Sequence, residues 1–431
     1  MKLNRRSFVK LSGAAALVGL STTAVNRVGF AADKEKEKGR VVVIGGGYGG
    51  AVAAKYIRMA DPGIEVTLIE QNQHYYSCPL SNWVVAGFRD IEVQKWGYEG
   101  LKKHGVKVVI EPATEIDPAT KTVTTKGGTK FKYDRLIVSP GVAFKPVEGY
   151  DAEAEEKMPH AWHAGPQTVL LNKQLTAMRD GDPFILVAPP DPFRCPPGPY
   201  ERASLVAHYL KKNKPKSKVI ILDPKDKFSK MPLFQAGWTK LYGFGTDKSL
   251  IDWIPGGEGG KVARVDAKTM TVYTDMAEYK SSCINIIPPQ KAGAIAEMAK
   301  LTDESGWCPV QFDTFESKIH KDIHVIGDAA QATGLPKSGY AANSEAKVCA
   351  AAVVALLNGQ KPGEPSYVNT CYSMLSPTYG ISVAGVYKLV EGKIKEVGGG
   401  LSAADAPEFI RQQEATYNES WYQSIMADTF S

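Results

Sequence analysis

The 431-residue sequence has six cysteines and seven histidines, and they form no C-x-x-C and no Cys/His pair at zinc-ligand spacing. That removes the sequence basis for a metal site held by this chain. There is no C-x-x-C-H either, so no c-type haem is attached to it. Long apolar runs are scarce: apart from a weak N-terminal stretch, none reaches the roughly 18 residues of a membrane-spanning helix. Charge of one sign is also in short supply. The formal net charge is +6, but residues 1–31 hold Lys2, Arg5, Arg6, Lys10 and Arg27 and no acid, which leaves +1 on the remainder. A remainder so close to neutral gives no electrostatic basis for binding nucleic acid.

The N-terminal stretch reads as a targeting segment. Asn4-Arg5-Arg6-Ser7-Phe8-Val9-Lys10 is followed by a modest apolar run and small residues up to Ala31-Ala32, the pattern of a twin-arginine leader. We expect residues 1–31 to be that leader and 32–39 a charged linker. The leader predicts export to the periplasm, an oxidising compartment where disulfides persist.

Nucleotide chemistry begins at Arg40. The apolar run to Ile44 predicts a strand buried on both faces. It leads directly into Gly45-Gly46-Gly47-Tyr48-Gly49-Gly50, then a helical pattern, then a second strand ending in Glu70. In this G-x-G-x-x-G, Gly45 allows the tight turn, Gly47 admits a pyrophosphate and Gly50 lets helix and strand pack closely. The helix N-terminus attracts the phosphates, and Glu70, 20 residues on, is placed to hold ribose hydroxyls. Residues 107–133 read as an antiparallel excursion. A later strand, Ile323–Ile326, ends in Gly327-Asp328. That pair resembles the second flavin motif of two-dinucleotide-fold flavoproteins, in which the aspartate binds the ribityl–phosphate region, so FAD is the expected cofactor.

A second strand–loop–helix–strand unit starts at Phe184, but its loop is not a glycine loop. It reads Ala188-Pro189-Pro190-Asp191-Pro192-Phe193-Arg194-Cys195-Pro196-Pro197-Gly198-Pro199. Proline has no N–H to offer a phosphate, which argues against a nicotinamide cofactor although Asp223 stands where a ribose-binding acid would. The stiff loop instead positions Cys195.

Alternating strands and helices predict an α/β fold: two Rossmann-like doubly wound domains plus a C-terminal α+β region. The expected boundaries are 40–150 and 289–360 for the FAD domain, 151–288 for the second, degenerate domain, and 361–431 for a C-terminal interface region.

Together, Ile44–Gly50, Tyr75-Tyr76-Ser77-Cys78-Pro79, Arg194–Glu201, Asn369-Thr370-Cys371-Tyr372-Ser373 and Trp421-Tyr422 resemble the flavoprotein subunit of flavocytochrome c sulfide dehydrogenases. The proline-bounded cysteine segment is the most specific part. The resemblance implies three roles. Cys78 would be bonded through sulfur to the flavin 8α-methyl group. Cys195 and Cys371 would form a redox-active disulfide that sulfide reduces, giving a persulfide and ultimately sulfur or polysulfide. The electrons would pass through FAD to a haem on a separate c-type cytochrome subunit, making a heterodimer.

Glu201, at the start of the helix after Cys195, is the candidate acid/base; a first-turn glutamate is equally an ordinary partner of the helix dipole. Cys283 and Cys308 are expected to form a structural disulfide, and Cys349 to be a core residue. His160, His163 and His324 show no partners in the sequence. Sulfide:quinone reductases share the fold and a similar cysteine pair. That rival needs an apolar membrane-facing surface, and Pro407–Ser431 has no basic amphipathic face. A non-catalytic flavin-bearing assembly subunit and an NAD(P)H-dependent disulfide reductase are further alternatives.

Overall fold

A computed structural model describes residues 38–431. The leader and most of the linker lie outside these residues. Lys38, at the linker's end, is docked: its ammonium lies 3.1 Å from Asp61.

The strand Gly39–Ile44 is buried from Val41 onward because both faces carry β-branched residues. It pairs in parallel with Ile64–Glu70 on one side and Arg135–Val138 on the other. Lys107–Ile110 and Ile323–Val325 complete a five-stranded parallel sheet. Lys107–Ile110 thus departs from expectation. Instead of opening the antiparallel excursion it forms an edge of the main sheet, its short apolar run Val108–Ile110 fitting either role. The excursion itself comprises Ala113–Asp117, Thr122–Thr125 and Lys130–Lys132.

Two helices cover one another beside this sheet, Tyr48–Ala60 and Gly339–Leu357. Their contact is lined by alanines (Ala51, Ala54, Ala342, Ala346, Ala350), and such small side chains allow close approach. Among the described residues, Gly339–Leu357 has the length and composition of a membrane span, although the sequence shows no unbroken apolar run there because Asn343, Glu345 and Lys347 interrupt it; here it is a core helix.

The second unit has a four-stranded parallel sheet ordered Ile251–Ile254, Val219–Leu222, Phe184–Val187, Cys283–Ile286. The helix Gly198–Asn213 connects two of these strands. Its core is separate from the first, built on Phe184, Tyr200, Phe234 and Trp238.

The C-terminal region is an antiparallel sheet of Ser366–Ser376, Tyr379–Val390 and Lys393–Leu401, followed by the helix Glu408–Phe430. It sends Leu375 and Ile381 into the second core, and Tyr367, Tyr422 and Met426 into the first. This α/β arrangement of two Rossmann-like units with a C-terminal α+β region is the expected fold.

Candidate active site

The glycine loop has the geometry its sequence predicts. Gly45 has φ +96°, and a Cβ there would lie 2.2 Å from the carbonyl oxygen of Ser139. A Cβ on Gly50 would lie 1.9 Å from the Gly45 oxygen. Both contacts are with backbone and cannot give way. Gly47 caps the helix Tyr48–Ala60 with no side-chain bond, leaving that N-terminus to a ligand. Glu70 Oε2 accepts from Gly46 N at 2.7 Å, and Oε1 from Asn72 N at 2.8 Å, so the carboxylate lies beside the loop.

At the end of Ile323–Val325, Gly327 has φ +72° and donates its N–H to Glu345 Oε2 at 2.7 Å. Asp328 is partly buried, and its Oδ1, itself shielded from solvent, has no hydrogen-bond partner within the chain. Burial raises its pKa, against the lowering effect of Arg194 and Lys337. An orphaned buried carboxylate oxygen, together with a backbone cradle that any Cβ would fill, fits a dinucleotide running from Glu70 past the loop to Asp328.

Cys78, Cys195 and Cys371 come from three regions of the chain and meet near this groove. Cys78 follows Tyr75-Tyr76-Ser77 and donates to the Trp162 oxygen at 3.6 Å. Cys195 has φ +58°, a conformation that costs a non-glycine residue about 1 kcal/mol or more. Its N–H bonds the Lys337 oxygen at 2.7 Å, tying the proline loop to the flavin unit. A Cβ on Gly198 would lie 3.0 Å from Cys195 Sγ and 2.7 Å from the Trp162 ring. The glycine therefore lets the thiol lie against the start of the helix. Cys371 is on the strand Ser366–Ser376. Burial pushes both thiols up; Cys195 is raised further by the charges of Cys371, Glu201 and Cys78, which places these groups within electrostatic reach of one another. Both are free thiols here, with no S–S bond between them.

Glu201 is buried beside the pair. Its Oε1 accepts from Met374 N at 2.9 Å and its Oε2 from Asn82 Nδ2 at 2.7 Å. Burial raises its pKa, and these two bonds, Lys230 and Arg202 oppose the rise.

Two features depart from expectation. Cys283 and Cys308 are free. Cys283 lies in the core of the second unit and Cys308 in that of the first, so no disulfide joins them. The 25-residue separation suits a disulfide loop, but the chain changes units between the two cysteines. The histidines have partners after all: His160 Nδ1 accepts from Trp162 N at 2.8 Å, His163 Nε2 lies 3.1 Å from the Val142 oxygen, and His324 Nδ1 lies 2.8 Å from the Thr314 oxygen. The His160 bond closes a local turn, whereas His163 and His324 bond the backbone of separate segments. Cys349 is a core residue, fully buried.

Sequence reasoning missed several charged residues. Arg194 donates to the Trp162 oxygen and places Nη1 3.9 Å from Asp328 Oδ2. Arg202 is buried and bonded to Asn82, Asn285 and the carbonyls of His160 and Ala161. Lys230 is buried with its ammonium 2.7 Å from Ser373 Oγ. Arg194 was legible as the neighbour of Cys195. Nothing in the sequence marked Lys230, which stands in a separate segment.

In the second unit Asp223 is taken up within the chain. It accepts from Tyr200 OH at 2.6 Å, Lys225 Nζ at 2.7 Å and Trp253 Nε1 at 3.1 Å. Tyr200 stacks on Phe228 with ring centroids 3.6 Å apart.

The fold and this site define a two-dinucleotide-fold flavoprotein with a cysteine pair next to its nucleotide groove. Three family models cover most of the chain. Residues 168–288 match the central part of the sulfide dehydrogenase [flavocytochrome c] flavoprotein chain, residues 363–430 the flavin-binding part of flavocytochrome c sulphide dehydrogenase, and residues 39–167 the pyridine nucleotide-disulphide oxidoreductases. The sulfide dehydrogenase flavoprotein chain of Chlorobaculum thiosulfatiphilum is 58% identical over 45 residues, 10% of this chain and 94% of that relative. The sulfide-quinone reductase of Aquifex aeolicus is 31% identical over 176 residues, 40% of this chain but only 39% of that relative's length. The solved sulfide:quinone oxidoreductase from Aquifex aeolicus shares the fold, with TM-score 0.67 and 20% identity, covering 90% of this chain and 92% of that one. The chain belongs to the flavoprotein family of flavocytochrome c sulfide dehydrogenases.

Proposed function

We propose that this protein oxidises sulfide, with Cys195 and Cys371 cycling between dithiol and disulfide, and that a c-type cytochrome subunit receives the electrons. The observation that carries this reading is the convergence of Cys195 and Cys371 beside the buried Glu201, from positions 176 residues apart in the sequence.

In the disulfide form, HS⁻ attacks one sulfur. The Cys195–Cys371 bond breaks, a new S–S bond forms to the incoming sulfur, and the other cysteine leaves as thiolate. Two electrons have then moved from sulfide sulfur to the cysteine pair. Glu201, with its pKa raised by burial, is suited to take a proton from H₂S or from the persulfide and return it. A second HS⁻ attacking the outer sulfur releases hydrodisulfide and leaves the dithiol.

FAD, when bound, supplies a two-electron acceptor that can release electrons singly. Gly45, Gly47 and Gly50 would cradle its pyrophosphate, Glu70 its adenosine ribose and Asp328 its ribityl–phosphate region. Cys78 would carry the thioether to the 8α-methyl group. Residues 1–31, as a twin-arginine leader, would deliver the folded, loaded enzyme to the periplasm, where the cytochrome completes a heterodimer.

The test is anaerobic titration of the purified flavoprotein with sulfide. Stoichiometric flavin bleaching is expected, lost in both Cys195→Ser and Cys371→Ser. Bleaching that survives either change would overturn the disulfide step. Fluorescence of the denatured chain on a gel, with FAD mass on the Cys78 peptide, checks the thioether.

A second reading, with quinone as acceptor, is favoured by the named sulfide-quinone reductase relative. Comparing cytochrome c and a soluble quinone as acceptors separates the two.

A further inference from the structure

We propose that Lys230, acting with Ser373, is the counter-ion for the negative charge that forms on the Cys371 sulfur during sulfur exchange. The identity of the nucleophile rests on the sulfide reading above; the charge on Cys371 does not.

Lys230 lies just before the helix Met231–Tyr242, in left-handed backbone with φ +61°. Its carbonyl accepts from Leu233 N and Phe234 N, at 3.0 and 3.1 Å, so the residue is fixed at the helix start. It is 6% exposed, and its ammonium reaches Ser373 Oγ at 2.7 Å. Ser373 is 1% exposed. Residues two apart on a strand share a face, so Ser373 and Cys371 project to the same side of Ser366–Ser376. The ammonium therefore reaches the cysteine's side of the strand.

A buried cation is costly unless an anion accompanies it. Among the described residues no carboxylate lies within ion-pair distance of Lys230, and the hydrogen-bond partner it has is a neutral hydroxyl. Three ionisable groups face this spot from the surrounding elements: Glu201 on the helix Gly198–Asn213, Cys195 on the proline loop and Cys371 itself. Both oxygens of Glu201 are engaged, one by Met374 N and the other by Asn82. Lys230 acts on Glu201 only through space, together with Arg202, while its hydrogen bond to Ser373 holds the ammonium on the cysteine's side of the strand. Burial raises the Cys371 thiol; Lys230 is the largest influence opposing it, and Ser373 adds to that opposition.

Sulfur exchange supplies the missing anion. When HS⁻ opens the disulfide, electrons of the broken S–S bond stay on the leaving cysteine as thiolate, and the attacked cysteine becomes a persulfide whose proton passes to Glu201. When Cys195 is the attacked sulfur, the charge arises on the Cys371 sulfur itself; when Cys371 is attacked, the charge lies on the outer sulfur of the persulfide that Cys371 carries. Lys230 and Ser373 meet it there, without themselves taking part in bond making.

The experiment uses the flavin-loaded full chain with its cysteines reduced. Alkylation of Cys371 by iodoacetamide is followed against pH by peptide mass mapping, since only the thiolate reacts. In Lys230→Met the midpoint is expected to move up by about one pH unit, slowing alkylation near neutral pH about tenfold. Lys230→Arg should restore the wild-type profile, and Ser373→Ala should give a smaller shift in the same direction. An unchanged Cys371 midpoint in Lys230→Met overturns the proposal; if that variant does not fold, an unchanged midpoint in Ser373→Ala does so. Failure of the sulfide reading shows up separately, as a wild-type flavin that sulfide does not bleach.

Discussion

The chain contains two strand–loop–helix–strand units whose loops have gone opposite ways. In the first, Gly45 and Gly50 leave backbone against backbone, and no side chain caps the helix N-terminus at Gly47. In the second, the loop carries prolines, Asp223 is bonded to Tyr200, Lys225 and Trp253, and the loop's one reactive residue, Cys195, is held against the helix start. The same topology can thus keep its helix N-terminus for a phosphate or give it to a thiol. The choice is made by residues that have N–H groups and no Cβ, against residues that have neither N–H nor freedom.

The sharpest way to break this comparison is Gly50→Val. Its Cβ would overlap the Gly45 carbonyl, and overpacking that backbone cannot relieve costs more than about 3 kcal/mol. The purified variant should lack flavin or fail to fold, whereas Pro197→Gly in the other loop should keep full flavin absorbance. Flavin retained at wild-type level in Gly50→Val would end the distinction. Next comes Glu201→Gln, which preserves shape and removes the charge. Sulfide turnover should fall by about a hundredfold with flavin content and melting temperature little changed, as expected for loss of a general acid/base; a purely structural glutamate would leave turnover alone. Asp223→Ala then tests whether that acid is structural. Leaving Tyr200 OH and Trp253 Nε1 unpartnered should cost about 2 kcal/mol in denaturant unfolding, with no change in flavin binding.

A further effect is pH-dependent. Burial lifts the Glu345 pKa to about 8, while the unfolded chain releases that proton near 4.3. Between these values the native state binds more protons than the unfolded one. Stability from this group is therefore present at low pH and lost as pH rises towards about 8, by up to roughly 1.4 kcal/mol per unit. Glu345→Gln should flatten the fall in melting temperature between pH 5 and pH 8; parallel curves would refute it. Smallest is Cys283→Ala. As a buried free thiol it should cost about 1 kcal/mol, whereas loss of a disulfide would cost about 2–5.

Local patterns were legible wherever sequence neighbours decide the structure. The strand before Gly45, the helix after it, Glu70 beside the loop and the stiff segment around Cys195 all follow from adjacent residues. The start of Gly339–Leu357 carries a local mark of the same kind: Ser338 is a good N-cap, and its Oγ accepts from Ala341 N at 3.0 Å. What failed depended on partners distant in sequence. Lys107–Ile110 has no local mark distinguishing a parallel edge from a hairpin. Cys283 and Cys308 are 25 positions apart yet belong to different cores. Lys230 meets Ser373 across 143 positions, with no spacing rule to announce it.

The C-terminal helix Glu408–Phe430 lies on the glycine-loop unit. Asp428 accepts from Tyr56 OH at 2.7 Å across 372 positions, and Phe430 stacks on Tyr75 with ring centroids 5.3 Å apart. During synthesis the glycine-loop helix therefore leaves the ribosome hundreds of residues ahead of the segment that covers it. Such long-range closure is slow and leaves apolar surface exposed while it waits. Substitutions in this helix should accordingly register first in the cell as lost soluble yield and greater dependence on chaperones, before any change in the chemistry of the molecules that do finish folding.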